Sequence, residues 1–422
     1  MSLFPRARCR AQSLRLLAIC FSFGALPVVA QNTATAPTVT TTSTSITLAE
    51  AFQLALAQQP WTLAASERQR ERQLREALAD SWLADSPTIA SGLKTGNRDG
   101  LREFEIEISA PIATASRRSL QVASVRGESA VYAANLAQLA LKLAGEVREA
   151  YWAAQLAAGE LSLADDEVKR AELVATDSAR RTAAGDSARV DTLQAELTVQ
   201  TLRSTRVEVE QRLSAARQVL RALIGDAAGR RLADVVETRS NVTLHALNDH
   251  PSLRFAGQSE QLARAKLNEA STLTNGAPAV SFALTNERSN GSASASTARI
   301  GISFPFGGTQ RAAPRIAQAG AELAEAQASV PLLRRQLEAE SASAQAAVIS
   351  AERRIEVLTE RGRLANEVAT LYAKAYRLGE LDLPTRLRAE GERASANLAL
   401  SRAHIELKHA ISRVNQSLGL LP

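Results

Sequence analysis

Apolar residues recur on alternating three- and four-residue steps over unusually long stretches of this chain. Val330, Leu333, Leu337, Ala344, Val348, Ala351, Ile355 and Leu358 form one row, and Leu136, Leu139, Leu143, Val147 and Tyr151 form another. Each is a narrow apolar seam on an otherwise charged helix, the pattern of coiled-coil packing, and alanine in the seams implies close helix approach. Proline is absent from 112 to 250 and again from 332 to 383. The pattern predicts outgoing helices over 118–182 and 312–376. At roughly 60–65 residues and 1.5 Å per residue, each is about 95 Å long. Ordinary globular helices run about 8–20 residues, so these belong to a tube, a coiled coil or a spacer.

Two short regions switch to a period of two. Glu103-Phe104-Glu105-Ile106-Glu107-Ile108-Ser109 alternates polar and apolar, as does Ala298-Arg299-Ile300-Gly301-Ile302-Ser303-Phe304. A weaker partner precedes each, Pro87 to Lys94 and Pro278 to Asn286, with Gly and Asn clustered between at Gly96 to Gly100 and Asn290-Gly291. These read as two β-hairpins.

The two halves repeat at a fixed offset of 194. Ile106, Ile108, Ser109 and Pro111 match Ile300, Ile302, Ser303 and Pro305, and Arg117, Ala123 and Glu128 match Arg311, Ala317 and Glu322. Gly185 matches Gly379, and Leu193, Ala195 and Glu196 match Leu387, Ala389 and Glu390. A proline follows each opening helix, at Pro60 and Pro251. The duplication defines the unit of the fold: helix, β-hairpin, long helix, glycine turn, long return helix. The first repeat is expected over 47–235, with its β-hairpin at 87–112 and helical hairpin at 118–225. The second is expected over 236–422, with β-hairpin 278–306 and helical hairpin 312–420.

The N-terminus changes the charge picture. Arg6, Arg8, Arg10 and Arg15 precede the apolar stretch Leu16 to Leu26, and Val28-Val29-Ala30 offers small residues for cleavage, so residues 1–30 read as a secretory signal peptide. Residues 31–46, rich in Thr, Ser and Ala, read as a flexible lead-in. Removing the four arginines leaves 46 basic against 44 acidic residues, so the formal net charge of +6 falls to +2 and gives little support to nucleic-acid binding. Both cysteines, Cys9 and Cys20, lie in the signal. Ile19 before Cys20 and the apolar run after it argue against lipidation there.

No other segment approaches 18 unbroken apolar residues, so an exported chain of this kind is either soluble outside the cytoplasm or a β-barrel. Four strands cannot close a barrel, and open edges cannot face lipid. Three chains would supply twelve strands. Ile106, Ile108, Ile300 and Ile302 would then face lipid, and Glu103, Glu105 and Glu107 the barrel lumen; the alternative for the glutamates is a solvated strand face.

These segments carry a family resemblance. Thr47-Leu48-Ala49-Glu50-Ala51-Phe52 through Gln59-Pro60 resembles the opening helix of the TolC-like outer-membrane factor family, the outer membrane efflux proteins. Ile302 through Arg311 resembles its strand-to-helix junction. Tyr376-Arg377-Leu378-Gly379-Glu380 and Gly185 through Leu193 are similar to its two periplasmic helix tips. Gly379 through Leu383, followed by Arg388-Ala389-Glu390, is most similar to the heavy-metal-efflux branch.

The resemblance implies a mainly α fold with a β-barrel contribution, in which a homotrimer forms a twelve-stranded barrel in outer membrane lipid and an α-helical tunnel in the periplasm. It implies a passive exit duct docked to a periplasmic membrane-fusion adaptor and an inner-membrane efflux pump, exporting metal cations or small toxic compounds. Adaptor docking would fall at the tips, on Arg180, Gly185, Asp186, Arg189, Leu378, Gly379, Glu380 and Leu381. The periplasmic gate would involve Asp191, Tyr376, Asp382, Thr385 and Arg388. Family members carry acids six and nine positions after the second tip glycine. Here these positions are Thr385 and Arg388, which puts the usual acidic ring in doubt. Arg388 is expected either to turn from the lumen and pair with Asp191 or Glu390, or to stand as a plain surface arginine.

Other chemistry finds little footing. Without Cys or Met after the signal there is no soft metal site. His245 and His250, like His404 and His409, are five apart, which separates them on a helix, so no metal site is expected. No nucleotide fingerprint or nucleophile elbow is present, so no cofactor and no enzyme activity are expected, and few aromatics argue against nucleic-acid stacking. A periplasmic coiled-coil adaptor or structural spacer is the competing reading; it explains the helices but not the duplicated hairpins.

Overall fold

The computed structural model describes residues 45–96, 100–240, 244–289 and 291–422. The expected signal peptide, Cys9, Cys20, most of the lead-in, Asn97, Arg98, Asp99 and Asn290 of the turn clusters, and the side chain of His245 lie outside the described residues. Strand β1 (Ser45–Ile46) opens the described chain and is followed by helices α1 (Leu48–Ala57), α2 (Pro60–Leu63) and α3 (Ala65–Ala79). Strands β2 (Thr88–Thr95) and β3 (Arg102–Pro111) lead into α4 (Ala115–Ala184) and α5 (Arg189–Ile224). After β4 (Arg231–Leu232) the pattern recurs: α6 (Pro251–Thr272), β5 (Ala279–Arg288), β6 (Ala295–Ser303), α7 (Thr309–Arg377) and α8 (Leu383–Ser417).

Local chemistry sets the helix starts. The Thr47 hydroxyl accepts from the Glu50 N–H at 3.2 Å, and Glu50 Oε2 accepts from the Thr47 N–H at 2.9 Å. This reciprocal cap fixes the first residue of α1. Thr114 caps α4 in the same way by accepting from the Arg117 N–H. Pro60 opens α2 just after α1, and Pro251 opens α6 just after a short 3-10 turn over Leu244–Asp249, because a first-turn N–H has no helical acceptor to lose.

The long helices extend a little beyond their expected bounds, to 70 and 69 residues, or about 105 Å at 1.5 Å per residue. Helix α7 runs through Pro314 and Pro331. Both prolines are exposed, which leaves the carbonyls they free open to water. The predicted apolar rows are buried or half-buried in the helix seams.

The lead-in stops short of its expected end. Ile46 is buried, pairs in parallel with Leu232, and its carbonyl accepts from the Tyr151 hydroxyl at 3.0 Å. It joins Phe52, Val147, Trp152, Leu220 and Ile224 in the largest core cluster. Beside this cluster, buried Arg148 makes a two-pronged ion pair with Glu237 of the connection between repeats, its shorter contact 2.7 Å. Arg148 also donates to the Gln416 side chain and to the Leu420 carbonyl, so α4, the connection and the C-terminal segment are tied at one point.

Strands β2, β3, β5 and β6 form one antiparallel sheet in the order β2-β3-β5-β6. The two hairpins are therefore joined edge to edge, and β2 and β6 remain as open edges. Beside the sheet the helices pack in the order α3, α4, α6, α7. Towards the helix tips the order is α5, α4, α8, α7.

Candidate functional site

The sheet sorts its side chains by chemistry. The register aligns Ile89, Ile108, Phe282 and Ile300 across all four strands, and Ala90, Glu107, Ala283 and Arg299 on the opposite face. Ile89, Leu93, Phe104, Ile106, Ile108, Val280, Phe282, Leu284, Ile300 and Ile302 share the first face and are 40–77% exposed. An apolar face of this extent is not left against water in a stable soluble monomer. The other face carries Glu103, Glu105, Glu107 and Glu287, of which Glu103 pairs with Lys94 at 3.2 Å and Glu105 with Arg299 at 2.7 Å. Trp82, Phe304 and Phe306, all exposed, flank the helix-side end of the strands, and the amphipathic ring of Trp82 favours a membrane interface. Phe304 closes the alternating stretch over 298–304, but the pattern alone did not mark these three aromatics as a group, although their position just outside the strands is the signal for it.

At the far ends of the helices, Gly185 (φ +83°) and Gly379 (φ +78°) turn the chain. A Cβ at either would meet no neighbour, so the left-handed backbone and not space is what asks for glycine. The Asp186 N–H returns to the Arg181 carbonyl and the Glu380 N–H to that of Ala375, closing each helix end. Arg180, Asp186, Arg189, Leu378 and Glu380 are exposed around these turns, while Leu381 packs inward.

The expected gate residues separate. Tyr376 is 5% exposed and packs with Val174, Ala195 and Leu383. Arginines lie over its ring, Arg181 at 4.6 Å and Arg386 at 4.8 Å. Arg181 also donates to the Tyr376 carbonyl at 3.1 Å, and both guanidinium groups approach Asp177 at 3.6 Å. Asp382 instead caps α8, accepting from the Thr385 N–H at 3.3 Å, and Asp191 lies in the first turn of α5. Arg388 is exposed and makes no ion pair among the described residues; Glu390 is held by Arg393 at 2.8 Å. Within one chain Arg388 therefore meets neither Asp191 nor Glu390. Two residues along a helix is a rotation of about 200°, so Arg386 and Arg393 face α4 while Arg388 points away.

Above Tyr376, α4 and α8 are joined by a ladder that the sequence reading did not assemble. Asp177 meets Arg386, Glu167 meets Arg393 at 3.5 Å, Glu160 meets Arg402 at 2.6 Å and Glu149 meets His409 at 3.0 Å. The acids lie on α4 and the bases on α8. Of the other histidines, His250 uses Nδ1 to accept from the Ser252 N–H at the start of α6, and burial pushes its pKa down.

Residues 53–226 match the model of the outer membrane efflux protein family. The first repeat is thus similar to that family. The match lies in the first repeat, and the fold of both repeats is that of solved outer-membrane proteins. The outer-membrane channel OprN is 21% identical with a TM-score of 0.71, over 88% of this chain and 89% of that one. The outer membrane protein VceC of Vibrio cholerae is 15% identical with a TM-score of 0.70, over 89% and 96%. The CmeC outer membrane channel of Campylobacter jejuni is 12% identical with a TM-score of 0.71, over 88% and 85%. No curated protein matches the chain in sequence. Among the described residues no helix is long and apolar enough to cross a membrane.

Proposed function

We propose that the protein is the passive exit duct of a tripartite efflux system. Three copies close a twelve-stranded barrel in the outer membrane and continue it as a helical tunnel in the periplasm. The observation that carries this reading is the four-stranded sheet, with one exposed apolar face, one charged face and two open edges. Unpaired backbone at β2 and β6 cannot face lipid, whereas a closed barrel has no such edge. The charged face, with Glu103, Glu105 and Glu107, then lines the lumen. The tips around Gly185 and Gly379 dock on a periplasmic adaptor that links the duct to an inner-membrane pump of the resistance–nodulation–division type. Cargo is metal cations or small toxic compounds, a reading supported by the resemblance of the second tip to the heavy-metal-efflux branch. Cargo passes without a tight site, since strong binding would slow its release.

Light scattering on the detergent-solubilised protein tests the assembly, with a mass of three chains expected; a stable monomer inserted in lipid sinks it. Growth of a deletion strain in zinc, cobalt, cadmium, copper and organic toxins identifies the cargo class. Sensitivity to none of them removes the efflux assignment.

A further inference from the structure

The apolar face of the sheet changes character at the end that carries the hairpin turns. The register stacks its side chains in rows across the strands. Ile89, Ile108, Phe282 and Ile300 form one row, Ser91, Ile106, Leu284 and Ala298 the next, and Leu93, Phe104, Asn286 and Ser296 the one after. The row beyond sets Thr95, Arg102 and Arg288 side by side. Arg102 and Arg288 are direct partners on the two middle strands, and both are exposed. Neither makes an ion pair or a side-chain hydrogen bond among the described residues.

Like charges directly opposite one another in a sheet repel, whereas opposite charges there stabilise it. Here charge is sorted by face instead. One residue along, Glu103 stands opposite Glu287 on the other face, where Lys94 takes up Glu103 at 3.2 Å. The arginine pair has no such counter-ion. In a closed barrel the strand beyond β2 or β6 is another copy's edge strand, and neither Thr88–Thr95 nor Ala295–Ser303 contains an acid. The height of the pair is also informative. Phe304 follows Ser303, the partner of Ala279, so it stands level with Pro278, ten residues before Arg288. At about 3.4 Å per residue and a strand tilt of about 40°, this is roughly 26 Å of height, matching the apolar band of about 25 Å on an outer-membrane barrel. Aromatic rings therefore bound the band at the helix end, and the two arginines bound it at the turn end.

We propose that Arg102 and Arg288 together hold a phosphate group of a lipid in the outer leaflet of the outer membrane. The inference rests on the closed-barrel reading and adds a lipid partner to it. With the helices in the periplasm, the turn end of the sheet lies at the outer leaflet, and the arginines share the face that meets lipid. Directly opposite residues on antiparallel strands are about 5 Å apart at the backbone, so the two guanidinium groups reach one anion between them. A phosphate suits them because each planar fork donates two parallel hydrogen bonds to its oxygens. The anion turns the repulsion between the arginines into a bridge. The row beneath is polar on the β5–β6 side, where the Asn286 amide donates to the Ser296 hydroxyl at 2.9 Å, so a sugar-bearing head group also finds hydrogen-bonding neighbours. Basic pairs at a membrane surface recognise anionic head groups by this chemistry.

Lipid binding in a neutral detergent tests the pair in the full protein, after light scattering has given its mass. The probe is fluorescently labelled lipid A carrying both phosphates, and the first comparison is the same lipid stripped of phosphate. The stripped lipid should bind about tenfold more weakly or worse, through loss of charge-assisted hydrogen bonds. This comparison needs no variant, so it stands even where a substitution disturbs folding. Arg102→Gln with Arg288→Gln should weaken binding of the phosphorylated lipid to the level of the stripped one. The same double variant should lose the rise in melting temperature that lipid A gives the unsubstituted protein. A three-chain mass with equal affinity for the two lipids, or with an unchanged affinity in the double variant, overturns the lipid site and leaves the barrel standing. Inorganic phosphate that displaces lipid A at equal concentration assigns the pair to a free anion and also overturns the lipid partner. A one-chain mass for the unsubstituted protein overturns both readings.

Discussion

Within each helical hairpin and between the two hairpins, the long helices meet on different chemistry. The α4–α5 and α7–α8 seams bury small and aliphatic groups, such as Val174 with Ala195, and Gly362 beneath Leu400. Their ion pairs, Glu172 with Arg203 and Arg361 with Glu392, lie on exposed flanks. The α4–α8 seam instead places ions within the contact, where Glu160, Glu167, Arg386 and Arg393 are largely covered. Apolar contact gains stability from removing surface from water and responds weakly to salt. Ion pairs respond to ionic strength, and exposed ones contribute only about 0–1 kcal/mol each. The hairpins are therefore the rigid units of the helix row, and displacement between them costs least along the α4–α8 seam.

The largest effect is expected where the ions between the hairpins are driest. Arg148→Met leaves Glu237 without its cation and the Leu420 carbonyl without a donor. Loss of one partner from a buried pair costs about 3–5 kcal/mol, measurable by chemical denaturation. A loss under about 1 kcal/mol, the range of exposed pairs, contradicts the dry reading of this site. Next comes the apolar seam within the first hairpin. Leu213→Ala should cost about 2–4 kcal/mol, and the loss should be the same at low and high salt. Glu160→Gln should cost about 1 kcal/mol, since Arg402 and Arg212 are only partly covered. This loss should shrink as salt rises. Equal salt dependence in Leu213→Ala and Glu160→Gln would erase the contrast between the seams.

Acid is expected to act through His250. Its folded pKa lies below the ordinary value of about 6.5, because burial disfavours the imidazolium. The unfolded chain therefore binds a proton first. The His250 contribution is complete above about pH 6.5 and is lost as pH falls towards the depressed folded value. Protonation also takes away the Nδ1 lone pair that accepts from the Ser252 N–H. The loss is at most about 1.4 kcal/mol per pH unit. His250→Asn keeps a side-chain acceptor and should flatten the melting temperature between pH 7.5 and 5.5; an unchanged slope assigns the acid response to other groups.

Much of this fold is legible in the sequence because two periodicities and a duplication are written into it. Alternation over 103–109 and 298–304 specifies which strand residues share a face, and the glycine pair at an offset of 194 marks both tips. What could not be read is how the repeats sit against each other. No local pattern distinguishes Arg386, which faces α4, from Arg388, which faces solvent; a helix position acquires meaning only when its neighbour's rotation is known. Asp382 shows the same limit. Its acid reads as a gate charge, and its position immediately before α8 gives it a helix-capping role that the expectation did not include. Ile46 looked like part of a polar lead-in because its partner, Leu232, lies 186 residues away.

The smallest effect sharpens the comparison at the tip. Arg386 and Arg181 cover Tyr376 and share Asp177, so the second tip is held to α4 through an aromatic ring and one acid. Arg386→Ala removes one cation, and Arg181 still holds the Tyr376 carbonyl. The variant should therefore assemble normally while hydrogen exchange rises near Tyr376 and conductance in planar bilayers increases. A cation over a partly desolvated ring contributes about 1 kcal/mol, enough to alter an opening equilibrium about fivefold without unfolding the chain. Arg388, two residues along, is exposed and makes no ion pair among the described residues. Its replacement by alanine should change stability by under about 0.5 kcal/mol and leave conductance as it was. The ratio of the two conductance changes is the informative quantity. If Arg388→Ala opens the channel as much as Arg386→Ala, then charge facing solvent on α8 governs the tip, and the contact around Tyr376 is not what holds the hairpins together.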